Sequence, residues 1–171
     1  MLLNPLTFHA PVSLSEAVNL YGRLESVKLQ AGGTFLLNSL KLLKRKGAKT
    51  PEHIISLSKI KELKGVSEIN GELSIGAMTT INDLAQSPHL NDNLAVLKVV
   101  CKNISTNPIR NMATVGGNLT CRYTWTEMPA TMIGLEASMH FSGQDGAAEV
   151  VPAEDFYKGA AKTNKIFTRV T

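Results

Sequence analysis

Two pairs of adjacent glycines are the residues of this sequence whose type and setting point most directly to chemistry. Gly32 and Gly33 lie in QAGGTFLLN, and Gly116 and Gly117 lie in TVGGNLT. Where side chains are missing, backbone N–H groups can approach an anion closely, and a following helix adds partial positive charge. Glycine also adopts positive φ values that other residues resist. Phosphate binding and a purely conformational role therefore both stay open, and AGGTFLL matches neither GxGxxG nor a Walker motif.

Polar neighbours strengthen the phosphate interpretation of the second pair. Thr114 and Asn118 flank it and can supply further hydrogen bonds. Two glycine turns that face each other would suit a pyrophosphate, with one turn for each phosphate.

The helices and strands predicted around the first glycine pair form an α/β unit. The order predicted over residues 1–58 is helix, strand, glycine turn, helix and strand, which gives a small N-terminal α/β lobe. A capping box at residues 13–16 predicts the first helix, and apolar alternation at 27–31 predicts the first strand before the glycine pair. Leu36, Leu40 and Leu43 share one face of the second helix, and Gly47 is its expected stop. A second strand is predicted at 54–57.

Residues 59–171 predict a second lobe of α+β type, with a small and mainly antiparallel sheet. The predicted strands are GELSIGAM, the alternating residues Ala137, Met139 and Phe141, and a return strand at 149–152 after the turn SGQDG. The predicted helices cover residues 80–86, the face formed by Leu94, Leu97, Cys101 and Ile104, and MPATMIGLEA.

Composition excludes several classes of protein. Of 171 residues, 43% are hydrophobic and 19% are charged, which is ordinary for a globular domain. The net charge of +4 is too small to indicate nucleic-acid binding without clustering. No apolar run reaches the length of a membrane span, and the N-terminus lacks the pattern of a secretory signal. Two cysteines without metal-ligand spacing favour a reduced, cytoplasmic protein.

Other reactive side chains show no catalytic or metal-binding arrangement. We expect Arg110 to fix the loop before the second glycine pair, although it could also attract phosphate. Cys101 fits a small buried hydrophobe better than a redox centre. The basic run at residues 41–49 fits a solvated helix end better than a docking patch for an acidic partner. The histidines lack ligand spacing and are expected to be structural or exposed; they are His9, His53, His89 and His140.

Five segments in order resemble one protein family over nearly the whole chain, from Pro5 to about Thr168. They are QAGGTFLL, ELSIGAMTTINDL, NPIRNMATVGGNL, PATMIGLEA and DFYKGAAKT. The sequence resembles the FAD-binding domain of the molybdenum hydroxylases, which includes the flavin subunits of xanthine dehydrogenase and aerobic carbon monoxide dehydrogenase. The resemblance implies a two-lobe FAD-binding domain in which both glycine turns bind the pyrophosphate.

The resemblance also implies a set of cofactor-binding residues and assigns no catalytic or metal-binding residue. They are Leu29, Ala31, Gly32, Gly33, Thr34 and Phe35 at the first turn, Ile104, then Thr114, Val115, Gly116, Gly117 and Asn118 at the second, and Glu127.

The sequence departs from the family pattern at three places. Phe35 stands where the family usually has a polar or acidic residue. Glu127 stands, by spacing, where the family usually has an aspartate. The segment CRYTWTEMP is atypical; its Tyr123 and Trp125 could stack on adenine or support the loop, and Cys121 could lie near the flavin. We also expect the usual C-terminal domain of the family to be absent, because the chain stops where that domain would begin; the sequence is then either a truncated chain or a minimal form.

The implied function is electron transfer by a flavin subunit. Electrons would pass from iron–sulfur clusters through FAD to NAD or another acceptor, with a molybdenum cofactor-binding large subunit and an iron–sulfur small subunit as partners. Two alternatives stay open: a non-catalytic assembly or regulatory protein that has lost FAD, and a stand-alone flavoenzyme of the muramate-reductase type.

Overall fold

A parallel sheet organises the N-terminal part of the computed structural model, which describes residues 3–121, 125–159 and 164–171. The elements of this part are β1 (Thr7–His9), α1 (Leu14–Arg23), β2 (Val27–Gln30), α2 (Leu36–Arg45) and β3 (His53–Ser56). The strand order is β1–β3–β2, and β3 pairs in parallel with both neighbours. The predicted order of helix, strand, glycine turn, helix and strand is confirmed, and the structure adds β1, which was not predicted.

The helix boundaries of this part follow from local sequence. The Ser13 hydroxyl accepts a hydrogen bond from the Glu16 N–H at 3.2 Å, as expected of the predicted cap. The Glu16 carboxylate accepts from the Val12 N–H at 3.0 Å rather than from that of Ser13. Helix α2 ends at Arg45, and Gly47 follows with a φ of +65°. The basic run therefore surrounds a helix C-terminus, where positive charge is favourable.

An antiparallel sheet organises the rest of the described chain. Its strands are β4 (Val66–Ile69), β5 (Glu72–Gly76), β6 (Ser138–Ser142), β7 (Ala148–Pro152) and β8 (Ile166–Val170), in the order β4–β5–β8–β6–β7. Strands β5, β6 and β7 were predicted, whereas β4 and β8 were not. The central strand β8 buries both Ile166 and Phe167, so it lacks the alternation by which strands are recognised. The α+β fold class, with one small parallel and one antiparallel sheet, is confirmed.

Short helices cover the antiparallel sheet and connect it to the cleft described below. They are α3 (Ile81–Ala85), α4 (Ala95–Asn103), α5 (Asn107–Arg110), α6 (Val115–Thr120), α7 (Met128–Gly134) and α8 (Ala153–Lys158). Thr80 caps α3 as predicted, because its hydroxyl accepts from the Asp83 N–H at 3.0 Å. Leu97 and Cys101 form the buried face of α4. Among the described residues, no helix combines the length and apolar character needed to cross a membrane.

The prediction of a turn at the second glycine pair is wrong. Gly116 and Gly117 lie inside α6, and Thr114 is the N-cap of that helix. Glycine is a poor helix former, so its pairing in the sequence indicated a turn. The helix is favoured here by tertiary packing: a Cβ on Gly116 would lie 2.7 Å from the Ala77 carbonyl oxygen.

Two buried apolar clusters hold the elements together. The larger one packs the antiparallel sheet against α3, α4, α6, α7 and α8. The smaller one joins α1 and β3 of the N-terminal part to Ile60, Leu63, Met78 and Ile166 beyond it. The two sheets are therefore joined by continuous apolar packing, which fixes the walls of the cleft relative to each other.

Candidate functional site

A large cleft opens beside the first glycine pair. Its volume is about 1050 Å³, at the upper end of ligand pockets, which range roughly from 300 to 1,000 Å³. All of the predicted cofactor-binding residues except Val115 line it. The fold thus brings together residues that are about eighty positions apart in the sequence.

The first glycine pair presents backbone donors at the start of a helix. Within the described part of the chain, the N–H groups of Gly32, Gly33 and Thr34 donate no hydrogen bond. Helix α2 begins just after them, and its N-cap, Phe35, provides no side-chain capping bond. Successive free N–H groups at a helix N-terminus attract anions. The ligand that fits this arrangement carries negatively charged oxygens.

Each glycine of the first pair also has a structural reason. A Cβ on Gly32 would overlap the Met112 carbonyl oxygen, so a side chain cannot be accommodated there. Gly33 has a φ of +73°, which L-residues rarely adopt. The conformational interpretation is therefore confirmed, and the glycines allow the backbone path that leaves these N–H groups free.

The two glycine segments lie against each other. Gly32 packs against Met112 and Ala113, directly before Thr114. A Cβ on Gly117 would lie 3.7 Å from the Ala31 Cβ. The segments form adjoining parts of one wall of the cleft.

The second glycine segment offers a different chemistry from the first. Its N–H groups are already used: Val115 donates to the Thr79 carbonyl at 2.9 Å and Gly116 to the Ala77 carbonyl at 2.8 Å. Gly117 donates to the Thr114 hydroxyl at 3.1 Å. What this segment presents to the cleft is a surface without side chains at the glycines, followed by Asn118.

Asn118 and Glu127 bring polar side chains to this part of the cleft. The side-chain oxygen of Asn118 accepts a hydrogen bond from the Thr126 hydroxyl at 2.6 Å. The side-chain NH₂ group of Asn118 has no acceptor among the described residues. The Glu127 side chain is exposed and makes no hydrogen bond to the described chain. Both groups are available to a ligand, one as a donor and the other as an acceptor.

Val115 lies on the opposite side of α6 from the cleft. Its side chain is fully buried in the larger apolar cluster. It supports the position of α6 and does not line the cleft.

Arg110 has the structural role that we expected. Its Nη1 donates to the carbonyls of Lys102 at 3.1 Å, Ile104 at 3.0 Å and Ser105 at 3.0 Å. These carbonyls end α4 and form the following loop, in which Ser105 has a φ of +50°. Because Ile104 and Ser105 line the cleft, Arg110 positions part of its wall from behind.

Several residues that sequence reasoning missed also line the cleft. They include Lys28, Ala77, Met78, Asn103, Phe156 and Lys165. Lys165 forms an ion pair with Glu149 at 2.9 Å. The missed strand β8 and helix α8 explain the omission of Lys165 and Phe156, whereas Lys28 was recognisable as the polar member of the alternation in β2.

The aromatic and sulfur residues near the cleft have distinct environments. Phe35 and Trp125 line the cleft and are 40% and 69% exposed. Tyr123 lies outside the described residues. Cys121 lines the cleft, and burial raises the pKa of its thiol. Cys101 is buried away from the cleft, and burial raises the pKa of its thiol to about 11, against a smaller opposing effect of Arg110.

The fold and the cleft define a two-sheet domain with a cavity suited to an anionic, nucleotide-sized ligand. Residues 4–171 match the family model described as the FAD binding domain in molybdopterin dehydrogenase. The chain therefore belongs to this FAD-binding family, and the expectation that FAD is its cofactor is confirmed.

Curated proteins with related names are similar to this chain in sequence. The carbon monoxide dehydrogenase medium chain of Hydrogenophaga pseudoflava is 39% identical over 157 residues, covering 91% of this chain and 53% of that protein. A putative xanthine dehydrogenase FAD-binding subunit of Escherichia coli is 28% identical over 159 residues, covering 92% of this chain and 53% of that protein. The chain spans about half the length of the curated relatives it matches.

Solved structures share the fold. A carbon monoxide dehydrogenase from Hydrogenophaga pseudoflava that lacks the Mo-pyranopterin moiety of its cofactor matches with a TM-score of 0.90 and 35% identity, over 99% of this chain and 59% of that chain. Quinoline 2-oxidoreductase from Pseudomonas putida 86 matches with a TM-score of 0.89 and 28% identity, over the same shares of 99% and 59%.

Proposed function

We propose that this chain holds FAD in the cleft, with the pyrophosphate against the N–H groups of Gly32, Gly33 and Thr34. The observation that carries the proposal is the run of free backbone donors just before α2. A helix N-terminus favours a negatively charged ligand, and oriented N–H groups bind its oxygens directly. The residues present therefore fit a dinucleotide with two adjacent phosphates.

The second segment contributes in another way. The Thr114 hydroxyl accepts from the Gly117 N–H and holds this residue beside Ala31, where the wall of the cleft carries no side chain. The Asn118 NH₂ group is a donor for phosphate or sugar oxygens, and the Glu127 carboxylate is an acceptor for sugar hydroxyls. Leu29, Phe35 and Ile104 supply apolar surface, and Val115 acts indirectly through the packing of α6.

The proposed role is that of the flavin subunit of a molybdenum hydroxylase. When bound, FAD supplies the electron-transfer chemistry, and the protein supplies binding, orientation and exclusion of competing reactions. A relative described as a carbon monoxide dehydrogenase medium chain and one described as a xanthine dehydrogenase FAD-binding subunit support this role. The proposal includes iron–sulfur and molybdenum subunits as partners and NAD or another electron acceptor.

The same proposal covers organisation and location. It divides the chain into lobes at residues 1–58 and 59–171, because the parallel sheet ends at Ser56 and the antiparallel sheet begins at Val66. It places the protein in the cytoplasm, in keeping with two free cysteines.

The test is a titration of the chain with FAD, followed by absorption and by quenching of flavin fluorescence. ADP should compete because it carries a pyrophosphate, whereas adenosine should not. Gly117→Ala adds a methyl group to the wall of the cleft, 3.0 Å from the Thr114 hydroxyl oxygen and 3.7 Å from the Ala31 Cβ, and should weaken binding. Gly134→Ala is the matched control, because a Cβ on Gly134 has nothing within 4 Å. Equal affinity of both variants, together with no competition by ADP, would refute the placement of the pyrophosphate.

A further inference from the structure

Two histidines outside the cleft come together through strand pairing. The parallel register of β1 with β3 places Thr7 opposite His53 and His9 opposite Ile55. Side chains in register lie on the same face of a sheet, so His9 and His53 are diagonal neighbours. The distance from His9 Nε2 to His53 Nδ1 is 3.3 Å, and the ring centroids are 5.3 Å apart.

These two distances can be compared with those of a shared metal ion. Zinc lies about 2.05 Å from a histidine nitrogen in tetrahedral sites. Two such ligands would have nitrogens about 3.3 Å apart, and, for rings of about 1.2 Å radius, centroids about 5.3 Å apart. If the two nitrogens pointed straight at each other at the same separation of about 3.3 Å, the ring centroids would be about 5.7 Å apart. The observed pair fits nitrogens that converge on one ion, and the same distances also fit a bent N–H···N hydrogen bond, which the experiments below distinguish from a metal site.

The surroundings suit a small, open metal site. Both histidines are half-buried, so the rings are supported by the sheet and remain accessible. Neither lines the cleft. In the described parts of the chain, no group of three or more His, Cys, Asp or Glu residues is placed to hold a metal ion. Water molecules would therefore complete the coordination, and a site with two imidazoles selects ions such as Zn²⁺, Ni²⁺ or Cu²⁺ over Mg²⁺.

We propose that His9 and His53 bind a divalent transition-metal ion between β1 and β3. His9 ligates through Nε2 and His53 through Nδ1, so the hydrogens reside on His9 Nδ1 and His53 Nε2. A metal held in this way links the first strand to the centre of the parallel sheet. Its consequence is stabilisation of the N-terminal part, because an ion that binds only the folded chain favours folding.

The test uses the full chain after treatment with a chelator and its removal. Calorimetry with Zn²⁺ and Ni²⁺ should show saturable binding of one ion per chain, and thermal unfolding should shift upward; Mg²⁺ should do neither. His9→Gln and His53→Gln should each lose at least ~10-fold in affinity, since disturbing even an outer partner of a metal ligand costs ~10–100-fold. His89→Gln is the control for adventitious histidine binding and should behave like the parent.

A second measurement holds even if a variant folds poorly. Long-range ¹H–¹⁵N spectra of the parent chain should show His9 Nε2 and His53 Nδ1 shifting on addition of Zn²⁺, while the ring nitrogens of His89 and His140 stay unchanged. Binding that is absent, equal in all variants, or accompanied by no shift of these two nitrogens would overturn the proposal and leave the pair as a histidine–histidine hydrogen bond.

Discussion

Replacing Arg110 by methionine tests the claim that this side chain builds part of the cleft. Methionine keeps an apolar stem but removes every donor. Nη1 has two hydrogens shared among the carbonyls of Lys102, Ile104 and Ser105. We therefore count about two charge-assisted bonds, each contributing about 1.5–3 kcal/mol. Because Arg110 keeps some contact with water, we take the lower part of that sum, about 3–4 kcal/mol.

The corresponding change in melting temperature follows from the size of the chain. For domains of this length, 1 kcal/mol corresponds to about 2–4 °C, so Arg110→Met should lower the Tm by roughly 6–16 °C. The affinity for FAD should fall too, because Ile104 and Ser105 line the cleft. Differential scanning calorimetry with a parallel FAD titration measures both quantities.

Two further variants separate the role of Arg110 from a general effect of charge. Arg110→Lys retains a positive charge with three donors on a side chain of shorter overall reach and should recover part of the loss. Arg45→Met removes an exposed arginine in the last turn of α2 and should cost no more than about 1 kcal/mol. A Tm for Arg110→Met within about 2 °C of the parent would refute the reasoning.

Three other perturbations follow from the structure. Thr114→Val removes the cap that accepts from the Gly117 N–H and should lower stability by about 1–2 kcal/mol, whereas Thr106→Val, at a cap without a side-chain bond, should cost less in the same denaturant titration. Burial raises the pKa of the Cys101 thiol from 9.0 to about 11, so the free energy of unfolding should fall by about 2 kcal/mol as the pH rises from 9 to 11. Cys101→Ala should abolish that slope in unfolding curves measured across this range. Glu127→Gln should weaken FAD binding by about 1.5–3 kcal/mol, and an unchanged Kd would show that the carboxylate does not contact the cofactor.

Local signals predicted those parts of the fold that local physics decides. Ser13 and Thr80 were recognised as helix caps because each hydroxyl bonds to the N–H of the residue three positions later. Both partners therefore lie within one short stretch of sequence. Strands β5 and β6 were recognised because each buries one face. Strand β8 was missed because Ile166 packs in the smaller apolar cluster and Phe167 in the larger one, so both faces are apolar.

Tertiary contacts decide the features that the sequence did not reveal. The helix at Gly116 depends on close packing against Ala77, which lies thirty-nine residues earlier in the sequence. The Val115 N–H is unavailable to a ligand because it donates a hydrogen bond to the carbonyl of Thr79. His9 and His53 lack ligand spacing along the chain and become neighbours only in the paired strands. The family resemblance identified the cofactor, whereas the difference in chemistry between the two glycine segments arises from tertiary hydrogen bonds of the second segment to Ala77 and Thr79.

The most direct test of the pyrophosphate site is a backbone amide spectrum of the ¹⁵N-labelled chain during titration with FAD. The amide protons of Gly32, Gly33 and Thr34 should move downfield, because each gains a charged hydrogen-bond acceptor. The Gly116 amide, which already donates to the Ala77 carbonyl, should change much less. Binding of FAD that leaves the amides of Gly32, Gly33 and Thr34 unshifted would contradict the account.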